Sequence, residues 1–299
     1  LQIPIAVALG VYLRKGGSLI LGSVVAVGLM YLTIVFTAQT GWAQLALPPA
    51  VTDHISPTAF WTVILLVYAF VASVLPVQVL LQPRDSINAH QLLIAMGLLL
   101  GGLLIAHPPV VAEAVRFTPE PAASGDAAPP FVPFLFVTIA CGAVSGFHCL
   151  VASGCASRQL KSESDAQYVG YGAMLTEGFL ATLVILACIA GIGIGTTGAD
   201  GGALTGRAAW MHHYAAWGGS RGLGDKLAPF VTGAANAIGA LGISRALAEA
   251  IMGVFVASFA ATTLDSAARL QRYVIAELAG SARRGALDAG LVLAPLVVA

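Results

Sequence analysis

Hydroxyl and charged side chains gather at the end of one apolar segment, which reads "SFAATTLDSAARLQRY". Ser258 and Thr262 are four residues apart, as are Asp265 and Arg269, so each pair shares one side of a predicted helix. In one interpretation the hydroxyls, including that of Thr263, line a cation or proton path with Asp265, and Arg269 balances the charge. In the other, the hydroxyls bond back to the helix, and the two charged residues form an interfacial ion pair whose arginine snorkels.

A second stretch, "CGAVSGFHCLVASGC", places glycines, serines and a histidine inside an apolar segment. Glycines in membrane helices serve close packing, or they interrupt a helix so that freed backbone groups bind substrate or ions. His148 favours the second use, because an ionisable residue in a span tends to face the bundle interior and serve function. A hydrogen-bonded structural histidine is the alternative. The candidate site residues here are Gly142, Ser145, Gly146, His148 and Ser153.

Charged residues at the ends of predicted spans supply further candidates. Opposite charges in such places can form gates that break when a transporter changes state, although a solvated loop is their ordinary environment. Glu177 lies about two turns into a predicted span, where an unpaired carboxylate is costly. It is either a proton carrier or a structural hydrogen-bond partner. The gating candidates are Arg84, Asp85, Arg158, Asp165 and Arg269.

The composition predicts an integral membrane protein, because 58% of its 299 residues are hydrophobic and only 9% are charged. Lys and Arg are scattered and the formal net charge is zero, which argues against a nucleic-acid partner. The four cysteines lack zinc-ligand spacing. The adjacent His212 and His213 point in different directions on a helix, so we predict an interfacial helix there. No metal or other cofactor is expected beyond a coupling ion, H+ or Na+.

About eight spans follow from an apolar bilayer core of about 30 Å, which needs about 20 apolar residues per helix. Basic residues fall in alternate connections, which the positive-inside rule assigns to the cytoplasm. Residues 196–244 then form an extracytoplasmic loop with an interfacial or re-entrant helix at 227–244, within one transmembrane domain, 1–299. The first and last spans look truncated, so we expect further N-terminal spans in the same protein. The predicted spans are 2–13, 18–38, 58–81, 91–111, 131–154, 171–195, 246–266 and 286–299.

Three long stretches resemble one family of bacterial membrane transporters. The first is "PFLFVTIACGAVSGFHCLVASGCASRQLKSESDAQYVGYGAMLTEGFLA", Pro133–Ala181. The others are "YAFVASVLPVQVLLQPRDSI", Tyr68–Ile87, and "FVASFAATTLDSAARLQRYVIAEL", Phe255–Leu278. With the opening "IPIAVALGVYLR", they are similar to the carbon starvation protein A (CstA) family over most of the chain.

This resemblance implies a multi-pass transporter of the bacterial inner membrane that takes up peptides or, in some members, pyruvate with protons. It also implies an inverted-repeat architecture of the LeuT type with broken helices. Ser86 departs from the family pattern, in which an aromatic residue is expected, and this bears on the cytoplasmic gate. Cys149 and Cys155 stand where serine and threonine are more common, which argues against a required metal site there.

We therefore predict an all-α polytopic transmembrane helical bundle that takes up small carboxylated nutrients during carbon starvation by ion-coupled alternating access. Half-helix N-termini suit such anions. The predicted partners are a peptide or pyruvate and the lipid bilayer. A membrane-embedded enzyme using His148 with Glu177 or Asp265 is one alternative, although no nucleophile elbow or HExxH motif supports it. A structural or sensory membrane subunit is another.

Overall fold

The computed structural model describes residues 2–40, 55–77, 79–115, 130–198, 201–215 and 222–282. These residues are almost entirely helical, which confirms the predicted all-α class. A two-residue antiparallel ladder pairs β1 (Thr196–Thr197) with β2 (Ala203–Leu204). The α-helices of the described part are α1 (Gln2–Arg14), α2 (Leu19–Thr40), α3 (Pro57–Val74), α4 (Leu81–Ala106), α5 (Phe131–Ala143), α6 (Gly146–Val151), α7 (Asp165–Ile189), α8 (Gly206–Tyr214), α9 (Leu223–Gly239) and α10 (Arg245–Ala282).

Five of the described helices are long and apolar enough to cross a membrane. They are α2, α3, α4, α7 with the turn that follows it, and α10 as far as Leu278. α10 has 38 residues, and a rise of 1.5 Å per residue makes it about 57 Å long, nearly twice the thickness of the apolar core. The molecule is thus a multi-pass helical membrane protein. Its predicted inverted repeat stays a prediction, and the predicted span 286–299 lies outside the described residues.

The chain divides into two compact units, Leu1–Leu92 with Val254–Ala299, and Leu93–Gly253. In the first unit α1 and α2 pack side by side. The turn that joins them uses Gly16 with φ +86°, a conformation that favours glycine. Eight of the nine buried polar residues in the described part of the chain lie in this unit. Its apolar helices therefore enclose a polar centre.

In the second unit α9 packs closely against α7 and the 3-10 turn Gly191–Ile194. Glycines make this contact, because a Cβ on Gly191 or Gly233 would overlap the facing backbone. Asn236 Nδ2 donates to the carbonyl oxygens of Gly191 (3.1 Å) and Gly195 (2.6 Å), which fixes the turn. α9 has 17 residues, about 26 Å, slightly less than the apolar core. Its interfacial or re-entrant placement stays a prediction.

Three of the helix boundaries that differ from the predicted spans place charged residues in a helix. α4 begins at Leu81, and Pro83 does not prevent this because a proline is tolerated in the first turn of a helix. The predicted loop position of Arg84 and Asp85 is therefore wrong. α7 likewise begins at Asp165, and α10 continues well past Arg269 because no proline interrupts it.

Glycine packing gives the first testable prediction. A Cβ at Gly102 of α4 would overlap the Ala237 carbonyl of α9, whereas Gly97 of the same helix has nothing within 4 Å. We expect Gly102→Ala to lower the thermal midpoint of the purified protein by roughly 2 to 10 °C, from about 1–3 kcal/mol of overpacking. Gly97→Ala should leave it unchanged or raise it slightly, since alanine favours helix. Equal effects of the two variants would contradict the glycine contact.

Candidate functional site

Polar side chains on two helices of the first unit face one another and form what we call the polar seam. On α4, Arg84, Asn88 and Gln91 follow the i, i+4, i+7 spacing of one helix face, and all three are buried. α10 contributes the predicted face of hydroxyl and charged residues. The members of the polar seam are Arg84, Asn88, Gln91, Ser258, Thr262, Asp265 and Arg269.

A buried ion pair joins the two sides of the polar seam. Arg84 Nη1 pairs with Asp265 Oδ2, and the two side chains are 2% and 0% exposed. Tyr68 of α3 donates its hydroxyl to the same carboxylate oxygen at 2.8 Å, and Arg84 also contacts this hydroxyl and the Ser258 carbonyl. Arg84 lies in the first turn of α4, where the helix dipole disfavours a cation. The guanidinium therefore depends on Asp265 for its stability.

Several polar atoms of the polar seam have no hydrogen-bond partner among the described residues. They are Asp265 Oδ1, Arg84 Nε, Arg269 Nε and both amide atoms of Gln91. A buried polar group without a partner costs about 1–3 kcal/mol. The carboxylate thus keeps a free acceptor oxygen, at which a proton or a cation can bind.

A cluster of amides and hydroxyls continues the polar seam beside the ion pair. Gln2 Nε2 of α1 donates to Asn88 Oδ1 at 2.6 Å, and Asn88 Nδ2 donates to Thr262 Oγ1 at 2.6 Å. Ser258 Oγ lies 2.6 Å from Asn88 Oδ1 and 2.7 Å from Gln2 Oε1. One hydroxyl proton serves only one of these acceptors at a time. Three oxygen atoms thus converge at Ser258, and oxygen is the ligand that hard cations prefer.

Arg269 has a different partner from the predicted one. It is 2% exposed, and its Nη2 donates to the carbonyl oxygens of Ala72 (2.9 Å) and Leu75 (2.6 Å) at the end of α3. A guanidinium suits this position because the last carbonyls of a helix lack partners and carry negative partial charge. Within the described residues the ion pair of Asp265 is with Arg84, so the alternative prediction of an interfacial ion pair between Asp265 and Arg269 is wrong.

The glycine-rich stretch in the second unit is interrupted, as one of the two interpretations predicted. α5 ends at Ala143, and α6 begins at Gly146 after the N-cap Ser145, whose Oγ accepts from the His148 N–H at 3.5 Å. A π-helical turn, Ala152–Ala156, follows. Gly142 and Gly146 have nothing within 4 Å of an added Cβ, so close packing does not explain them within the described residues. His148 is exposed, and its transport role stays a prediction.

The other candidates are not members of the polar seam. Thr263 is exposed and bonds back to the Phe259 carbonyl at 3.0 Å, and Ser153 bonds back to the Cys149 carbonyl at 3.0 Å. Glu177 is exposed on α7, Asp165 is exposed in the first turn of α7, and Arg158 lies in the 3-10 turn Ser157–Gln159. Asp85 is half-buried beside Arg84. The predicted roles of all these residues stay predictions.

The paired histidines of α8 differ in their environment, because His212 is exposed and His213 is half-buried. His213 Nε2 lies 3.3 Å from Thr196 Oγ1, and burial, together with His212, lowers the pKa of His213 from its ordinary value of 6.5. Burial and the neighbouring Cys188 raise the pKa of Tyr214. In the described part of the chain no three His, Cys, Asp or Glu residues are placed to hold a metal ion.

Four residues of the site were not among the sequence candidates: Gln2, Tyr68, Asn88 and Gln91. Asn88 and Gln91 lie four and seven residues after Arg84, which is the spacing of one helix face. This spacing could have identified them if the predicted helix had begun at Leu81. Gln2 and Tyr68 carry no such signal. They join the site only because α1 and α3 pack against α4 and α10.

The fold and the site define a multi-pass helical membrane protein with a charged centre between its helices. A family model described as carbon starvation protein CstA matches residues 1–298, so the chain belongs to that family. The peptide transporter CstA of Mycobacterium tuberculosis is 40% identical over 195 residues, which cover 62% of this chain and 24% of that protein. The pyruvate/proton symporter BtsT of Escherichia coli is 35% identical over 198 residues, 62% of this chain and 25% of that protein.

The peptide transporter CstA of Escherichia coli is 42% identical over 134 residues, which cover 42% of this chain and 18% of that protein. The chain thus spans about a quarter of the length of the first two relatives. No solved structure matches it.

The ion pair gives the second testable prediction. Asp265→Leu leaves the Arg84 guanidinium buried and unpaired, which costs about 3–5 kcal/mol, so the thermal midpoint should fall by roughly 5 to 15 °C. Adding Arg84→Met should restore most of the loss, because two apolar side chains replace a buried pair at little cost.

The matched control is the exposed ion pair of Arg245 and Glu249, 2.8 Å apart on α10. Arg245→Met should change the midpoint by no more than about 2 °C, since exposed pairs contribute little. If Asp265→Leu behaved like Arg245→Met, the ion pair would not be an important structural contact.

Proposed function

We propose that the protein is an ion-coupled secondary transporter of the bacterial inner membrane that takes up small carboxylated nutrients, peptides or pyruvate, by alternating access. Two findings support this proposal. The relatives are named as peptide transporters and as a pyruvate/proton symporter. The observation that carries the mechanism is the ion pair of Arg84 and Asp265, buried among apolar helices.

Charge balance explains how such a pair couples an ion to a substrate. With neither bound, Arg84 and Asp265 neutralise each other. A proton on Asp265 leaves the guanidinium unpaired in an apolar environment, which is costly. A substrate carboxylate removes that cost, because arginine binds carboxylates through two parallel hydrogen bonds. Proton and carboxylate therefore enter together more favourably than either enters alone.

The same pair acts as a gate in this proposal. In the described state it joins α4 to α10, and Tyr68 connects α3 to the same carboxylate. When a substrate carboxylate replaces Asp265 as the partner of Arg84, the bond between α10 and α4 is broken. The helices can then separate and reach the alternative state. In this proposal the interrupted segment at Ser145 and His148 supplies backbone groups that bind substrate or ions.

The third prediction concerns uptake by the protein at its full natural length in proteoliposomes. Labelled dipeptide and labelled pyruvate are compared under an inward proton gradient, an inward sodium gradient and no gradient. We expect gradient-dependent uptake of one substrate in chemically unchanged form, a reduction of at least 10-fold in Asp265→Asn, and a loss in His148→Ala. Arg245→Met, at an exposed position on the same helix, should retain wild-type uptake.

Three results would refute particular parts of the proposal. If neither substrate moves under either gradient, nutrient symport is wrong. A chemically altered product favours the enzyme alternative. If Asp265→Asn shows wild-type uptake at an unchanged protein content of the vesicles, the carboxylate takes no part in coupling. If His148→Ala shows wild-type uptake, the histidine takes no part in transport.

A further inference from the structure

An apolar groove of about 480 Å³ runs between α1 and α2 in the first unit. Its lining is aliphatic except for one tyrosine, Tyr12. On the α2 side, Leu21, Val25 and Leu29 line it and are 60%, 52% and 48% exposed. The groove is therefore open along its length, and its walls match a hydrocarbon chain in polarity.

One end of the groove lies at the turn between the two helices. Tyr12 lines the groove, and its ring packs directly against Gly17 of the turn. Arg14 is the last residue of α1 and Lys15 follows it, and both are exposed. Neither forms an ion pair with any of the residues that the structure describes. Two cations that have no carboxylate partner among the described residues therefore lie at the end of an apolar groove.

We propose that this groove binds an anionic phospholipid of the surrounding membrane. An acyl chain lies along Leu21, Val25 and Leu29, and the headgroup phosphate pairs with Arg14 and Lys15. Basic sites beside membrane helices bind anionic headgroups, and each cation near the surface contributes to the attraction. α2 begins at Leu19 in the same turn, so the positive end of its dipole adds to the field at the phosphate.

Charge complementarity favours a lipid over a further helix as the occupant. A helix packed in the groove would cover the apolar walls, but it would provide no anion for Arg14 and Lys15 unless it carried acidic residues at that level. An anionic phospholipid supplies both parts in one molecule. The site is separate from the polar seam, and its occupation requires no transport.

Lipid retention by the purified protein at its full natural length tests the proposal. Native mass spectrometry in detergent is used to titrate phosphatidylglycerol and phosphatidylcholine with identical acyl chains. We expect the wild type to retain phosphatidylglycerol more tightly than phosphatidylcholine. In Arg14→Gln/Lys15→Gln this retention should weaken by about 5-fold for each cation removed. Val25→Trp, which fills the groove, should weaken retention of phosphatidylglycerol as well. Leu21→Trp repeats this test at a second exposed position.

Matched variants provide the controls. Lys161→Gln/Lys226→Gln removes two exposed cations elsewhere, and Val24→Trp enlarges a neighbour of Val25 that is 56% exposed but does not line the groove. Both should retain phosphatidylglycerol like the wild type. Equal retention of the two lipids, or no effect of both tryptophan variants, would overturn the proposal. Displacement of phosphatidylglycerol by inorganic phosphate at equal phosphate concentration would also overturn the proposal, because the acyl chain would then contribute nothing to binding.

Discussion

A guanidinium and a carboxylate buried among apolar helices form the interaction on which the first unit depends. Neither charge is stable there alone, so α4 and α10 must keep Arg84 and Asp265 in contact. Tyr68 brings α3 to the same carboxylate, and Arg269 of α10 binds the last carbonyls of α3. Three helices are thus held by hydrogen bonds to two arginines and one aspartate. Because membrane helices gain little from apolar contact with one another, such polar contacts specify their arrangement.

The second unit uses backbone contacts instead of charges. Gly102, Gly191 and Gly233 let helices approach until backbone meets backbone. Where the helical hydrogen bonds end at the 3-10 turn, Asn236 binds two of the freed carbonyls. The two bonds of Asn236 meet one requirement of an apolar solvent, which is that every backbone polar group needs a partner within the protein.

Sequence periodicity located the helices and one side of the polar seam. The spacing of Ser258 and Thr262 predicted that they share one side of the helix, and the structure confirms it, because both contact Asn88. Arg84, the partner of Asp265, is separated from it by 181 residues, so local spacing could not reveal the pair. A search for apolar windows also stops at charges. It therefore placed Arg84 in a loop, although Arg84 lies in the first turn of α4. Such a charged residue is recognised as part of an apolar helix only when its tertiary partner is known.

The glycines predicted one local feature of the structure and missed the tertiary contacts. Glycine content identified the interruption at Ser145 correctly, because glycine and N-capping serine are local signals. It did not identify which glycines make close contacts, since Gly102 and Gly97 look alike in sequence and differ only in what faces them.

Transport by the double variant Arg84→Met/Asp265→Leu tests the central claim most directly, because this variant separates folding from function. It removes the ion pair without leaving an unpaired buried charge. If the ion pair couples transport, the double variant should regain most of the wild-type thermal midpoint and show no gradient-dependent uptake of dipeptide or pyruvate. Wild-type uptake by the folded double variant would contradict the account and leave the ion pair with a purely structural role.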